Sequence, residues 1–307
     1  MGDTLLATPL IRDFKLQHPE TSIEVIAENL PAQVLLGNPN ISKVLISPSH
    51  GSWIGSYGGL YHKLWKSKYK LSIDLISTPG SALLSYIANA KIRIGYKLRG
   101  RSWAYNAPVQ RRSIIQYSAI SKYDLVERLD MTCSSPLPEI FPKTKYRDWA
   151  VGRITELKID LSKPMIGICP WSKREWRRWE IDNWIRLLEK LLKYDEFQII
   201  VFASNTERPH LSQLESFSNT SILWAGASHI HEVAALMNHC KAIITNDNGL
   251  KHVAVACAVP TLTFHVGSEP ELWNPPDNPL HKTIDLREQS NAFDKVFTFA
   301  KEMIFKK

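Results

Sequence analysis

Short apolar runs alternate with longer stretches of helical periodicity along the whole chain, in two successive series. In the first series, runs at 22–27, 43–46, 71–76 and 92–95 read as strands, with helices among them over 4–18 and 80–89. In the second, strands are expected at 165–169, 198–203, 222–224, 242–245 and 261–264. Its helices are expected near 181–193, 211–217, 230–239 and 250–258. Alternation of this kind builds parallel sheets covered by helices on both faces. Two series predict an α/β chain of two doubly wound domains, and 307 residues agree with that at ~150 per domain. The strand pattern lapses over 134–163, with Pro136, Pro138, Pro142 and Pro164 in or beside the lapse. The expected domains are therefore 1–150 and 151–307.

Composition narrows the class. With 44% apolar and 22% charged residues, disordered, collagen-like and coiled-coil chains are excluded. No run approaches the ~18 apolar residues of a membrane span, and no secretory signal is visible. Cys133, Cys169, Cys240 and Cys257 are far apart and form no CxxC, which argues against a disulfide framework or zinc site and for a reducing cytoplasm. The net charge of +8 suits an anionic partner.

That charge is unevenly placed. Residues 75–123 contain no Asp or Glu but carry Lys91, Arg93, Lys97, Arg99, Arg101, Arg111, Arg112 and Lys122, interleaved with Tyr96, Trp103 and Tyr105. This is either a surface that receives an anion or a solvated face that confers solubility. No helix-turn-helix, zinc-finger or RNP pattern accompanies it, so nucleic acid is not the expected partner.

Ligands of open parallel sheets bind at the carboxyl ends of strands. Three such junctions carry chemistry. Gly2-Asp3 opens an apolar helix: Asp3 is a cap, or a carboxylate at a site that Gly2 lets another backbone approach. Ser172, Lys173, Arg174, Arg177 and Arg178 follow the strand ending at Cys169-Pro170. They suit a polyphosphate, or form a solvated basic loop. Asn246-Asp247-Asn248-Gly249-Leu250 joins a strand to a helix. The amides of Asn248, Gly249 and Leu250 can meet an anion and Asp247 a sugar hydroxyl; the plain alternative is an Asx turn with His252 in the core. His229-x-His231-Glu232 lacks the HExxH spacing and reads as an ordinary helix start. GxGxxG, Walker A and GxSxG are all absent.

Together these junctions resemble glycosyltransferase family 9, the lipopolysaccharide heptosyltransferases. Residues 2–10 read G-D-T-L-L-A-T-P-L, like the family's G-D-x-L-L-x-T-P-L. Residues 246–256 read N-D-N-G-L-K-H-V-A-V-A, like its N-D-[ST]-G-x-x-H-x-A-x-A. Val259-Pro260-Thr261, Gly267-Ser268-Glu269-Pro270 and Arg177-Arg178-Trp179-Glu180 are similar to its V-P-T, G-x-T-[DE]-P and K-x-W-[PE].

The resemblance implies a GT-B fold: two Rossmann-like domains facing across a cleft, acceptor on the first and nucleotide-sugar on the second. It implies an inverting heptose transfer from ADP-heptose to the lipopolysaccharide inner core, with no metal and no cofactor, ADP-heptose being a substrate. It places the protein in the cytoplasm, peripheral at the inner face of the inner membrane. Asp3 is then the expected catalytic base. Ser172, Lys173, Arg177, Asn248, Gly249, Leu250 and His252 are expected to hold the donor, with Asp247 on its sugar hydroxyls. Gly2, Lys97, Arg99 and Arg101 are expected on the acceptor side. A relative that uses another nucleotide-sugar, and a non-catalytic binder, remain open. The sequence departs from the family at three points. It has no strand ahead of Gly2-Asp3, so either the start is set too late, the expected case, or a central strand of the first sheet is missing. Arg177 stands for the family's Lys, and Asn248 for its Ser or Thr.

Overall fold

The computed structural model describes residues 1–47, 58–217, 222–287 and 293–305. In its N-terminal half, β1 (Glu24–Glu28) pairs in parallel with β2 (Lys43–Ser47). A second parallel group runs β3 (Leu71–Ile73), β4 (Ile92–Tyr96), β5 (Ala107–Val109). The C-terminal half holds one parallel six-stranded sheet. Its strands are β6 (Met165–Cys169), β7 (Gln198–Val201), β8 (Ile222–Trp224), β9 (Cys240–Asn246), β10 (Thr261–His265) and β11 (His281–Asp285), in the order β11-β10-β9-β6-β7-β8.

The helices of the first half are α1 (Gly2–Leu5), α2 (Thr8–Gln17), α3 (Asn29–Gln33), α4 (Gly58–Lys66), α5 (Pro79–Ile87), α6 (Ser118–Ser121) and α7 (Thr144–Glu156). Those of the second are α8 (Ile181–Leu191), α9 (Ile230–Met237), α10 (Gly249–Ala256), α11 (Pro270–Trp273) and α12 (Phe293–Phe305). None of them is long and apolar enough to cross a membrane.

Most of the expected strands are present, and the differences have local causes. The run at 71–76 ends as a strand at Ile73 because Asp74 turns the chain. Its Oδ1 accepts the amides of Ile76 (3.1 Å) and Ser77 (2.8 Å), and Ser77 adopts φ +54°. The helix expected over 4–18 is two helices. Pro9 has no amide to give the Leu5 carbonyl, and Thr8 Oγ1 donates to that carbonyl instead at 2.7 Å. The 211–217 helix is a 3-10 segment over Arg208–Phe217, kinked at Leu211. Strands β5 and β11 and helices α3, α4 and α7 were not expected. The His229–Glu232 stretch does start a helix: Glu232 Oε2 accepts the His229 amide at 3.0 Å and His229 Nδ1 accepts the His231 amide at 3.2 Å.

One apolar cluster runs between the halves. Leu5, Val34 and Leu35 pack with Ile230, Met237, Val253 and Ala254. His231, fully buried on α9, bonds the Gln33 carbonyl at 2.7 Å through Nε2. Helix α7 packs on α9, where Tyr146 stacks on His229 with 4.7 Å between ring centres. The other face of the six-stranded sheet is sealed by Trp179, Trp184, Leu187, Phe264 and Val296.

Among the described residues, four histidines lie in these interiors: His231, His252, His265 and His281. Burial lowers the pKa of each, to about 3 for His265 and about 4 for His281. The unfolded chain takes up protons near its ordinary histidine pKa of about 6.5. The folded chain does not, so stability is full above that pH and falls below it, by at most about 1.4 kcal/mol per pH unit for each histidine. Scanning calorimetry is expected to show a Tm that drops between about pH 7.5 and 5. The drop should be smaller in His281→Gln, and a flat Tm in the native chain would contradict the assignment.

Candidate active site

The six-stranded sheet delivers its polar residues at one edge. After the exposed Lys241, strand β9 is apolar until Thr245 and then runs Asn246-Asp247-Asn248 into α10. Asn246 is fully buried and works as a two-sided clamp. Its Nδ2 donates to the Pro170 carbonyl at 2.6 Å and its Oδ1 accepts the Trp179 amide at 3.1 Å. Asn248 caps α10, accepting the Lys251 amide at 3.0 Å, while its Nδ2 reaches the Trp171 carbonyl at 2.7 Å. The loop after β6 is thereby stitched at both ends to the start of α10, whose first amides have no acceptor within the helix. Gly267 lies beneath that loop, where a Cβ would come within 2.5 Å of the Trp176 carbonyl oxygen.

Asp247 sits at the centre with its side chain 1% exposed. Arg177 Nη1 approaches Oδ2 at 2.9 Å, and Lys251 Nζ approaches Oδ1 at 2.9 Å. Lys251 is fully buried and also donates to the Trp273 carbonyl at 2.6 Å. Burial is the largest influence and opposes the Asp247 charge, but the groups facing it, Lys251 first among them, together hold the carboxyl well below the usual carboxylate range. The Arg177 guanidinium lies over the rings of Trp176 (4.6 Å) and Trp273 (5.2 Å). Arg177 Nε, His252 Nδ1 and His265 Nε2 are buried without a hydrogen-bond partner among the described residues.

Helix α1 lies against α10. A Cβ on Gly2 would stand 2.9 Å from His252 Cδ2, and one on Gly249 would stand 2.6 Å from Met1 Cε. Asp3 is exposed beside this contact. One turn on, Leu6 packs with Tyr117 and Ala119 against Trp273. Lys122 is buried nearby, where burial lowers its pKa and the charge of Asp3 opposes that.

The structure thus brings the first and third junctions together and ties the second to the third. Ser172 is buried, and its carbonyl accepts Arg178 Nε at 2.7 Å. Lys173 and Arg174 are exposed. Arg178 turns inward over the Trp171 ring at 3.7 Å, so of the two adjacent arginines only Arg177 reaches Asp247. Asp247, expected on sugar hydroxyls, is enclosed by two cations, because buried carboxylates need counter-charge. In the acid-free stretch, Lys97 and Arg99 follow the carboxyl end of β4 and stay exposed. Arg101 is tied to the Ser77 carbonyl at 2.9 Å, Arg93 to that of Ala104 at 2.9 Å, and Arg112 pairs with Glu127 at 2.6 Å. Lys251 and Trp273 were not anticipated. A lysine in the apolar first turns of α10 was the available signal.

Asn246→Ala removes both partners of the clamp and leaves the Trp179 amide and Pro170 carbonyl without them. The expected loss in urea unfolding is about 2–6 kcal/mol, from ~1–3 kcal/mol for each of the two buried unsatisfied groups. A loss below ~0.5 kcal/mol, the level of an unremarkable surface change, would show that the loop is held by other means.

The sequence profile of glycosyltransferase family 9 (heptosyltransferase) matches residues 58–301. Lipopolysaccharide heptosyltransferase 2 of Salmonella typhimurium is 25% identical over 290 residues, covering 90% of this chain and 82% of the relative. A glycosyltransferase family 9 structure from Veillonella parvula superposes with TM-score 0.83 at 19% identity, covering 98% of this chain and 86% of the other. Escherichia coli ADP-heptose LPS heptosyltransferase II superposes with TM-score 0.80 at 20% identity, covering 99% and 95%. The architecture is therefore GT-B, and the chain belongs to glycosyltransferase family 9 and is a glycosyltransferase.

Proposed function

We propose that this chain transfers a heptose from ADP-heptose to the lipopolysaccharide inner core, inverting the anomeric centre without a metal ion. Its heptosyltransferase relatives support transfer of heptose to that core. The observation that carries the reading is the seat of α1 on α10, with Gly2 against His252, which sets Asp3 beside a cationic helix N-terminus. Buried polar atoms left unpaired at Arg177, His252 and His265 point to a polar ligand there.

In this reading residues 151–307 bind the donor and residues 1–150 the acceptor. Arg177, Lys173, the Ser172 hydroxyl and the amides of Asn248, Gly249 and Leu250 hold the diphosphate. The Asp3 carboxylate takes the proton of an acceptor hydroxyl. That oxygen attacks the anomeric carbon from the face opposite the phosphate. The bond from that carbon to the β-phosphate oxygen breaks, and ADP leaves with its negative charge on the donors that hold it. Gly2, Lys97, Arg99 and Arg101 belong to the acceptor side. Lys97 and Arg99 are exposed in the half that also exposes Trp103, Ile76, Ile114 and Ile115, a basic and apolar set suited to the anionic inner leaflet. This fits a cytoplasmic enzyme at the periphery of that membrane.

The test is ADP release from ADP-heptose in the presence of a chelator, with and without deacylated inner-core acceptor. Acceptor-dependent release is expected. Asp3→Asn should lower turnover at least ~10²-fold, the range of a lost general base, and leave ADP affinity within about twofold. Release that requires a divalent cation would sink the metal-free mechanism. Full turnover in Asp3→Asn would remove Asp3 from its role.

A further inference from the structure

Three charged groups meet in the donor half, and their number is uneven: two cations, Arg177 and Lys251, face the single carboxylate of Asp247. Their settings differ. Lys251 is fully buried and spends its ammonium on Asp247 Oδ1 and on the Trp273 carbonyl. Arg177 comes from the 3-10 turn Glu175–Arg177 in the loop after β6. It keeps a partly exposed side chain, lies over two indole rings, and has its Nε unpartnered.

A buried carboxylate facing one cation holds it fast, because neither charge can reach water. A carboxylate facing two cations can release one and stay compensated. We infer that Lys251 is a positioning residue: it retains the charge of Asp247 so that Arg177 can turn from that carboxylate to the donor's diphosphate. Lys251 does not touch the donor; it acts through Asp247. The planar guanidinium can rotate its fork over the Trp176 and Trp273 rings without leaving them. The inference rests on the reading that Arg177 binds the diphosphate, and the variants below separate the two.

The probe is ADP, titrated calorimetrically into the full chain and into Lys251→Met, Asp247→Asn/Lys251→Met and Arg177→Gln. Methionine keeps the length and apolar stem of lysine. With Lys251 gone, Asp247 should hold Arg177, and ADP affinity should fall about tenfold or more. Removing the carboxylate as well leaves Arg177 without a competitor, so the double variant should bind ADP within about threefold of the native chain. A Lys251→Met chain that binds within twofold of native overturns the inference. So does a double variant as weak as an about tenfold loss, which would mean that Lys251 meets the phosphate directly. The double variant is charge-balanced and decides the matter even where the single variant does not fold. Unchanged ADP affinity in Arg177→Gln would instead overturn the diphosphate role of Arg177.

Discussion

Helix α1 can lie on α10 only because glycines stand where the two helices meet. At Gly2 even a methyl group would enter the ring of His252, which is itself buried and has no room to retreat. Each element behind that contact is fixed by something else. Strand β9 holds α10 through its central place in the sheet, and the Pro9 break frees α1 from the direction of α2. The N-terminal junction therefore takes its position from the C-terminal one. A carboxylate on the first turn of α1 and the amides of α10 lie on two helices in contact although the sequence separates them by more than two hundred residues.

The same contact explains where polarity is concentrated. Parallel strands end together, so every loop that leaves the carboxyl edge of the six-stranded sheet is brought to one line. Asn246 and Asn248 use their amide groups to bind the loop after β6 to that line rather than to meet a ligand. This leaves the charged side chains and the first backbone amides of α10 outside that stitching. Loop-holding and charge-bearing duties thus fall on neighbouring residues of one motif, and bonding partners, not burial, separate them: Asn246 and Asp247 are equally buried.

That separation bounds what could be read from residue order. The strands at 165–169 and 261–264 were legible because an apolar run sealed on both faces has few alternatives. Strand β5 contains Pro108, and β11 mixes His281, Lys282 and Asp285 with two apolar-facing positions, so neither gives a clear run. The break between α1 and α2 hides inside continuous helical periodicity and shows only through the chemistry of Pro9 and Thr8. In the site, the three junctions were legible as residue sets. Their internal wiring was not: nothing local distinguishes Arg177, which reaches Asp247, from Arg178, which folds over Trp171. Lys251 reads as a solvated helical lysine until the Trp273 carbonyl, far along the chain, is brought over it.

The charge state of the cluster follows from its own members. Burial already disfavours protonation of His252 and His265, and the Lys251 ammonium disfavours it further. Near neutral pH both rings are therefore uncharged, and the charged groups of this cluster are Arg177, Lys251 and Asp247. Their sum is one positive charge in a setting of low dielectric, where it is felt more strongly than a surface lysine would be. Protonating either histidine would add a second positive charge, and the carboxylate of Asp285 near His265 is already paired with Arg287. Two neutral rings beside two fixed cations thus keep the excess charge single. They also leave it on the guanidinium, the one member of the three that is free to reorient.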